Sequence, residues 1–457
     1  MVRLHGSRSA TDIERLARAH VDSPTTAPEL PESSEGVRRD APGPRRAAVA
    51  GEIEPLHPSH RSVRGLDWFI FFLADVQTGF GPFIAVYLTS QKWTQVDIGL
   101  VLSVAGVVSL LAQVPGGALV DAARSERLVA GVALGGVAAA ALAYAAWPIF
   151  PVILTAAVVH ALASCVLGPC IIALSLGLVG HAALGERLGR NARFASIGNG
   201  LAAAAMGACG YLLGPRSVFL VTAALFVPTT LALSRIRPKE VDPEWAHGGP
   251  AAISVDAGQV RLSSLLRSRP LLILALCALL FHLANGSMLA LVGSVVTTRA
   301  SQWATIIIAA CIVVPQLVVA VLSPRIGHQV QVIGRRPILL LAFFALPIRG
   351  LLFATVSNPY ALVAVQLLDG ITAAAMGITV PLMIADLTRG TGHFNLVQGV
   401  VATAVGIGAS ISPTLSGYLT DHYGSSTAFF GLALIATTAF VAVWSLMPET
   451  KPASTIA

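Results

Sequence analysis

Between about Leu66 and Met447 the chain alternates long apolar runs with short polar interruptions, and each run approaches the roughly twenty residues a helix needs to cross a bilayer. Twelve such runs lie near 66–89, 97–119, 128–147, 152–178, 194–214, 217–233, 270–293, 303–323, 337–356, 359–385, 395–418 and 427–447. A polar stretch at 234–269 divides them into two sets of six, and the second set echoes the first. Leu73-Ala74-Asp75 in the first run returns 210 positions later as Leu283-Ala284-Asn285 in the seventh. His160 stands eight residues before Gly168 in the fourth run, as Asp369 stands eight before Gly377 in the tenth, 209 positions on. Six crossings bring the chain back to its starting side, so this is a parallel repeat about an axis along the membrane normal. With no water in the hydrocarbon to satisfy backbone groups, the runs are predicted to be helices. The predicted architecture is an all-α membrane protein of twelve transmembrane helices in two pseudo-symmetric six-helix bundles, 61–233 and 270–447. A cytoplasmic linker at 234–269 joins them, and a cytoplasmic tail at 448–457 follows.

Composition agrees: 55% of residues are hydrophobic and 12% charged, with a mean hydropathy of +0.74, which excludes an ordinary soluble domain of this length. The formal charge of +7 is mostly topology. Of 30 Lys and Arg, ten precede residue 66 and sixteen fall in loops after even-numbered runs or in the C-terminal tail; Lys92, Arg216 and Arg299 fall in the opposite loops, and Arg349 inside the ninth run. That asymmetry predicts cytoplasmic termini. Residues 1–60, rich in Pro, Ser, Arg and Glu, are predicted to be a disordered cytoplasmic tail, and they lack the interleaved aromatics of a nucleic-acid surface. No secretory apolar region opens the chain, so the first span is expected to direct insertion. The five Cys fall within runs and form no CxxC pair, which argues against disulfides and structural zinc, and no cofactor is expected. Arg far outnumbers Lys, as in GC-rich genomes, and with the short loops this points to a bacterial inner membrane.

Two motifs carry a resemblance. At the end of the second run the chain reads Gly117-Ala118-Leu119-Val120-Asp121, followed by Arg124 and Arg127, and the eighth-to-ninth loop carries Gly334-Arg335-Arg336. In the eleventh run Gly399, Gly408, Ser412-Pro413 and Ser416-Gly417 keep a fixed spacing, of which the fifth run retains Gly198 and Gly207. The first resembles the loop signature, and the second the antiporter signature, of the major facilitator superfamily. Ala122 stands where the family usually has Arg, and the better antiporter copy lies in the eleventh helix rather than the fifth. The resemblance implies two bundles whose first, fourth, seventh and tenth helices line a central cavity. Physically, Gly117 permits close helix approach, the Asp121 carboxylate suits a neighbouring helix N-terminus, and small residues around Pro413 allow packing with a bend.

Candidate chemistry follows from polar groups inside the apolar runs, where each ionisable residue is a functional-site hypothesis. Asp75 and Thr78 share a face of the first run with Gln77 beside them, and Gln366, Asp369 and Thr372 recur every three residues on the tenth. Arg349 either reaches Asp369 or snorkels to the interface. His160, with Ser164 one turn away, and His282, one turn before Asn285, add imidazoles that titrate near neutral pH. Asp75, Asp369 and His160 are the proton-coupling candidates, and Gln77, Thr78, His282, Asn285, Gln366 and Arg349 the substrate-binding ones. The conformational set is Gly117, Asp121, Arg124, Gly334, Arg335, Arg336, Gly408 and Pro413. Two carboxylates and two His also suit a divalent cation, but their spread over four helices gives no local ligand motif. No HExxH or GxSxG pattern marks an intramembrane enzyme, and a membrane sensor is a further alternative. The expected function is proton-coupled export of a small organic solute by a monomer in the lipid bilayer, with uptake or facilitated diffusion as the alternative.

Overall fold

The computed structural model describes residues 58–78, 84, 87, 88, 90–249, 267–299 and 304–451, and among them all regular secondary structure is helical. Of the expected tail at 1–60, residues 1–57 lie outside the described residues, as does the linker stretch 250–266. The first span begins at His60, earlier than hydropathy indicated, and is described to Thr78. The second is Gln95–Asp121, started by Thr94, whose hydroxyl accepts the Asp97 N–H at 3.1 Å. The third is Glu126–Ala146, capped by Ser125.

One correction concerns 179–193, read above as a loop between the fourth and fifth spans. The helix Phe150–Leu213 runs through it, broken only at Gly180 (φ 67), a left-handed position that Gly takes without strain. Its polar residues are there because they are partnered: Arg187 and Arg190 both reach Asp67 at the start of the first span. The sixth span is split into Arg216–Ala224 and Phe226–Arg235, where Pro228 has no N–H to continue the ladder. The seventh is split into Arg269–Asn285 and Met288–Arg299. The remaining spans are Ala304–Val332, Arg335–Thr355, Pro359–Leu387, Phe394–Tyr423 and Ser425–Leu446. Several outrun the hydropathy signal because a helix continues past the hydrocarbon wherever its polar end groups find partners.

Ten helical stretches of the described residues are long and apolar enough to cross a bilayer; one of them is the run folded at Gly180, and the first span stands beside them. Two apolar cores follow the repeat, one around Leu66, Leu134 and Leu174, the other around Leu274, Phe343 and Leu432. Large apolar residues also cover the outside, for instance Leu111, Leu213 and Leu434, as expected where lipid replaces water as the solvent.

The two bundles close on each other at the end where the described termini lie, along two seams of small residues. A methyl on Gly117 or Gly399 would overlap the carbonyl of Asn395 or Gln113, joining the second and eleventh spans. A methyl on Gly189 or Gly327 would overlap the carbonyl of Ser323 or Gly185, joining the fifth and eighth. The linker is ordered over its first part. Pro238–Glu240 forms one helical turn and Pro243–Ala246 another, the latter capped by Asp242, and Trp245 is buried.

Candidate functional site

The second bundle encloses a cavity of about 370 Å³ between its seventh and tenth spans, lined by His282, Asn285, Asp369, Thr372 and Met376 among others. Arg349, projecting from the ninth span two residues after Pro347, is the largest fully buried side chain of the described chain. Its Nη1 donates to Oδ1 of Asn285 at 2.7 Å and to Oδ1 of Asp369. Its guanidinium carbon stands 5.5 Å over the ring of Phe353, one turn along. Of the two readings of Arg349, the geometry takes the ion pair and not the snorkel. A buried cation of this kind is tolerable only with a partner close by. The partner is asymmetric: the side chain of Arg349 is 1% exposed and that of Asp369 24%, so the carboxylate is the member that solutes in the cavity can meet.

The tenth-span stripe does not face the cavity as a whole. Three residues advance a helix by about 300°, so Gln366 and Thr372 point about 120° apart. Asp369 and Thr372 line the cavity, while Gln366 is fully buried off it, its amide without a hydrogen-bond partner among the described residues. The Thr372 hydroxyl is taken up by the carbonyl of Asp369 at 2.8 Å. His160 and Ser164 belong to the first bundle and do not line this cavity. The side chains of Asp75, Gln77 and Thr78 lie outside the described residues, as does their relation to Asp369.

The eleventh span binds the cavity helix closely. A methyl on Gly408 would overlap the Leu279 carbonyl, and Ser412 Oγ accepts the N–H of Ser287 at 3.0 Å, at the break just past Asn285. Pro413 follows on the exposed side of that span. The antiporter-like residues thus sit against the segment that presents Asn285.

At the closed end, Asp121 occupies the N-terminus of the eleventh span. Its Oδ1 accepts the N–H of Asn395 at 3.0 Å and Nδ2 of the same residue at 2.9 Å, and its Oδ2 accepts the N–H of Leu396 at 2.7 Å. This satisfies free helix donors with a charge of the favoured sign. The linker joins in: Asn395 Nδ2 also donates to the Ala246 carbonyl at 3.3 Å, and His247 stands 3.1 Å from Glu126. The Glu126 carboxylate raises the pKa of His247 above its ordinary value, against burial that lowers it, with Asp121 adding to the rise. Arg124 is exposed. In the second bundle, Gly334 (φ 108) starts the ninth span, Arg335 Nε donates to Asp386 at 2.9 Å, and the N–H groups of Arg335 and Arg336 donate to Glu449 at 2.9 and 3.0 Å. The tail therefore docks as far as Lys451, whose Nζ donates to the Val332 carbonyl at 2.8 Å.

Sequence reading missed a second buried network. Asp67 receives Arg187 at 2.5 Å and Arg190 at 2.5 Å, and Arg187 continues through Asn191 (2.6 Å) to Ser175 (2.7 Å). The available signal was a carboxylate just inside the first apolar run with two Arg three apart past the fourth. Positive-inside counting absorbed the arginines as topology.

The major facilitator superfamily profile matches residues 68–331 and 274–456. An uncharacterised transporter of this type from Mycobacterium tuberculosis is 39% identical over 409 residues, covering 88% of this chain and 96% of the relative. Among solved structures, the fucose:proton symporter of E. coli superposes with a TM-score of 0.68 at 14% identity, covering 84% of this chain and 98% of its own. A proton:xylose symporter does so at 0.66 and 14%, covering 86% and 96%. With the repeat, the closed seams and the helix-capping Asp121 beside these matches, the chain belongs to the major facilitator superfamily and is a multi-pass membrane protein that transports a solute.

Proposed function

We propose that this protein is a proton-coupled exporter of a small polar organic solute, working as a monomer by alternating access in a bacterial inner membrane with both termini cytoplasmic. The observation that carries the reading is the ion pair of a buried Arg349 with a cavity-exposed Asp369. While Asp369 is ionised it holds Arg349. A proton taken up on that carboxylate weakens the pair and leaves a buried guanidinium in need of an acceptor. Asn285 supplies one. A donor group of the solute needs the ionised carboxylate, so solute and proton compete for Asp369, which is the logic of exchange. Asp75 and His160 are the first-bundle candidates for relaying the proton, and His282 for contacting the solute. The contacts of Gly408 and Ser412 with the seventh span support coupling of the eleventh helix to that site. The Asp121 clasp and the linker hold the closed end.

The test is reconstitution in proteoliposomes carrying a pH-sensitive dye, screened with a panel of polar metabolites for solute-evoked proton movement. Asp369→Asn is expected to abolish proton movement while leaving counterflow of labelled against unlabelled solute. Unchanged proton movement in that variant refutes the assignment.

A further inference from the structure

A groove of about 650 Å³ lies between the first and sixth spans at the end carrying the described termini, outside the cavity and both seams. Four basic side chains converge on it: His60, Arg61 and Arg64 from the first span and Arg235 from the end of the sixth. None of the four has a carboxylate partner among the described residues. Of the described carboxylates nearby, Asp67 is engaged by Arg187 and Arg190, and Glu240 by Ser59 and Arg237. The helices meet closely here. A β-carbon on Gly65 would stand 3.0 Å from Cβ of Arg235 and 3.1 Å from the Ala232 carbonyl oxygen. The packing therefore brings like charges together and gives them no counter-charge among the described residues.

Each helix grades from cationic to apolar in the same direction. On the first span Arg64 is followed one turn deeper by Trp68, 49% exposed, and then by Phe72. On the antiparallel sixth span Arg235 is preceded by Leu231 and Val227, 61% and 58% exposed. One turn is about 6 Å of depth, the scale on which a bilayer changes from headgroup to acyl chain. We propose that this groove binds an anionic phospholipid, its phosphodiester held between Arg64 and Arg235 and its acyl chains lying along Trp68 and Leu231. Arginines remain charged and match phosphate with two parallel N–H donors, and Trp suits the interface. A zwitterionic lipid offers the same phosphate but adds an ammonium for which the described lining of the groove holds no carboxylate. Free phosphate has no use for the apolar wall.

The experiment titrates the purified full-length chain in detergent with phosphatidylglycerol, phosphatidylcholine or inorganic phosphate and follows the unfolding midpoint. Phosphatidylglycerol is expected to stabilise at lower concentration than phosphatidylcholine, with no stabilisation by inorganic phosphate. Arg64→Gln with Arg235→Gln is expected to weaken the phosphatidylglycerol effect about thirtyfold. Arg389→Gln, an exposed cation outside the groove, is expected to leave it unchanged. Equal protection by inorganic phosphate, or equal weakening by Arg389→Gln, overturns the proposal. Should the double variant not fold, quenching by brominated lipids decides. The Trp68 contribution, taken as wild type minus Trp68→Phe, is expected to be quenched more by brominated phosphatidylglycerol than by brominated phosphatidylcholine, and equal quenching overturns the site.

Discussion

Arg349 holds Asp369 and Asn285 with one and the same nitrogen, Nη1, while its Nε has no partner among the described residues. The guanidinium is thus buried and incompletely satisfied, and the carboxylate is its sole counter-charge among the described residues. Removing the carboxylate leaves an uncompensated buried cation, which costs about 3 kcal/mol, whereas replacing both members by apolar residues of similar volume is far milder. Asp369→Ala is therefore expected to lower the unfolding midpoint in detergent more than Arg349→Met with Asp369→Leu. A double variant less stable than the single one contradicts this account.

Asp121→Asn keeps the shape of the helix-capping side chain and removes its charge. A hydrogen bond to an ionised acceptor contributes about 1.5–3 kcal/mol, so the closed end loses a comparable share of its preference. Solute binding, made at the distant cavity, is expected to persist while turnover falls about tenfold, measured by equilibrium binding beside initial transport rates. Equal losses in both quantities argue against the clasp.

Gly117→Ala and Gly189→Ala each place a methyl against a carbonyl of the other bundle. Neither neighbour is a side chain that can swing away, so the seams have to part. Spin labels at the exposed positions Arg124 and Arg389 are expected to report longer distances in the double variant than in the background protein. An unchanged distance distribution shows that the seams absorb the methyls.

The linker contact of His247 with Glu126 sets a pH dependence. The folded-state pKa of His247 is raised above 6.5 by that carboxylate. Its contribution is fully present below about pH 6.5 and lost as pH rises through the raised value, and it amounts to at most about 1 kcal/mol for a contact of this exposure. The stability difference between the wild type and His247→Gln is expected to be larger at pH 6 than at pH 8.5. A difference independent of pH removes His247 from the clasp.

Much of the fold was legible in the sequence because bilayer insertion is close to a sum of local transfer terms. An apolar run such as 427–447 announces its helix without reference to anything distant. The repeat, seen in Asp75 and Asn285, is likewise a property of the string. Hydropathy was blind to helix beyond the hydrocarbon, as at 179–193, where Arg187 reads as loop until Asp67 is seen beside it.

Of the candidate site, the sequence by itself determined which polar groups lie inside apolar spans: Arg349, Asp369, Asn285 and His282 were all recognisable as misplaced in a lipid-soluble body. Tertiary structure alone decided which of them meet. The Arg349 guanidinium could be assigned to Asp369 or to the interface from the string, and only packing of the seventh, ninth and tenth spans brings Asn285 and Asp369 to the same nitrogen. The same holds for Asp121, whose partners Asn395 and Leu396 lie 274 and 275 residues away in the other bundle. Burial is set by each residue's own chemistry and its near neighbours along the chain. Pairing depends on helix rotation and crossing, which no local run of residues encodes.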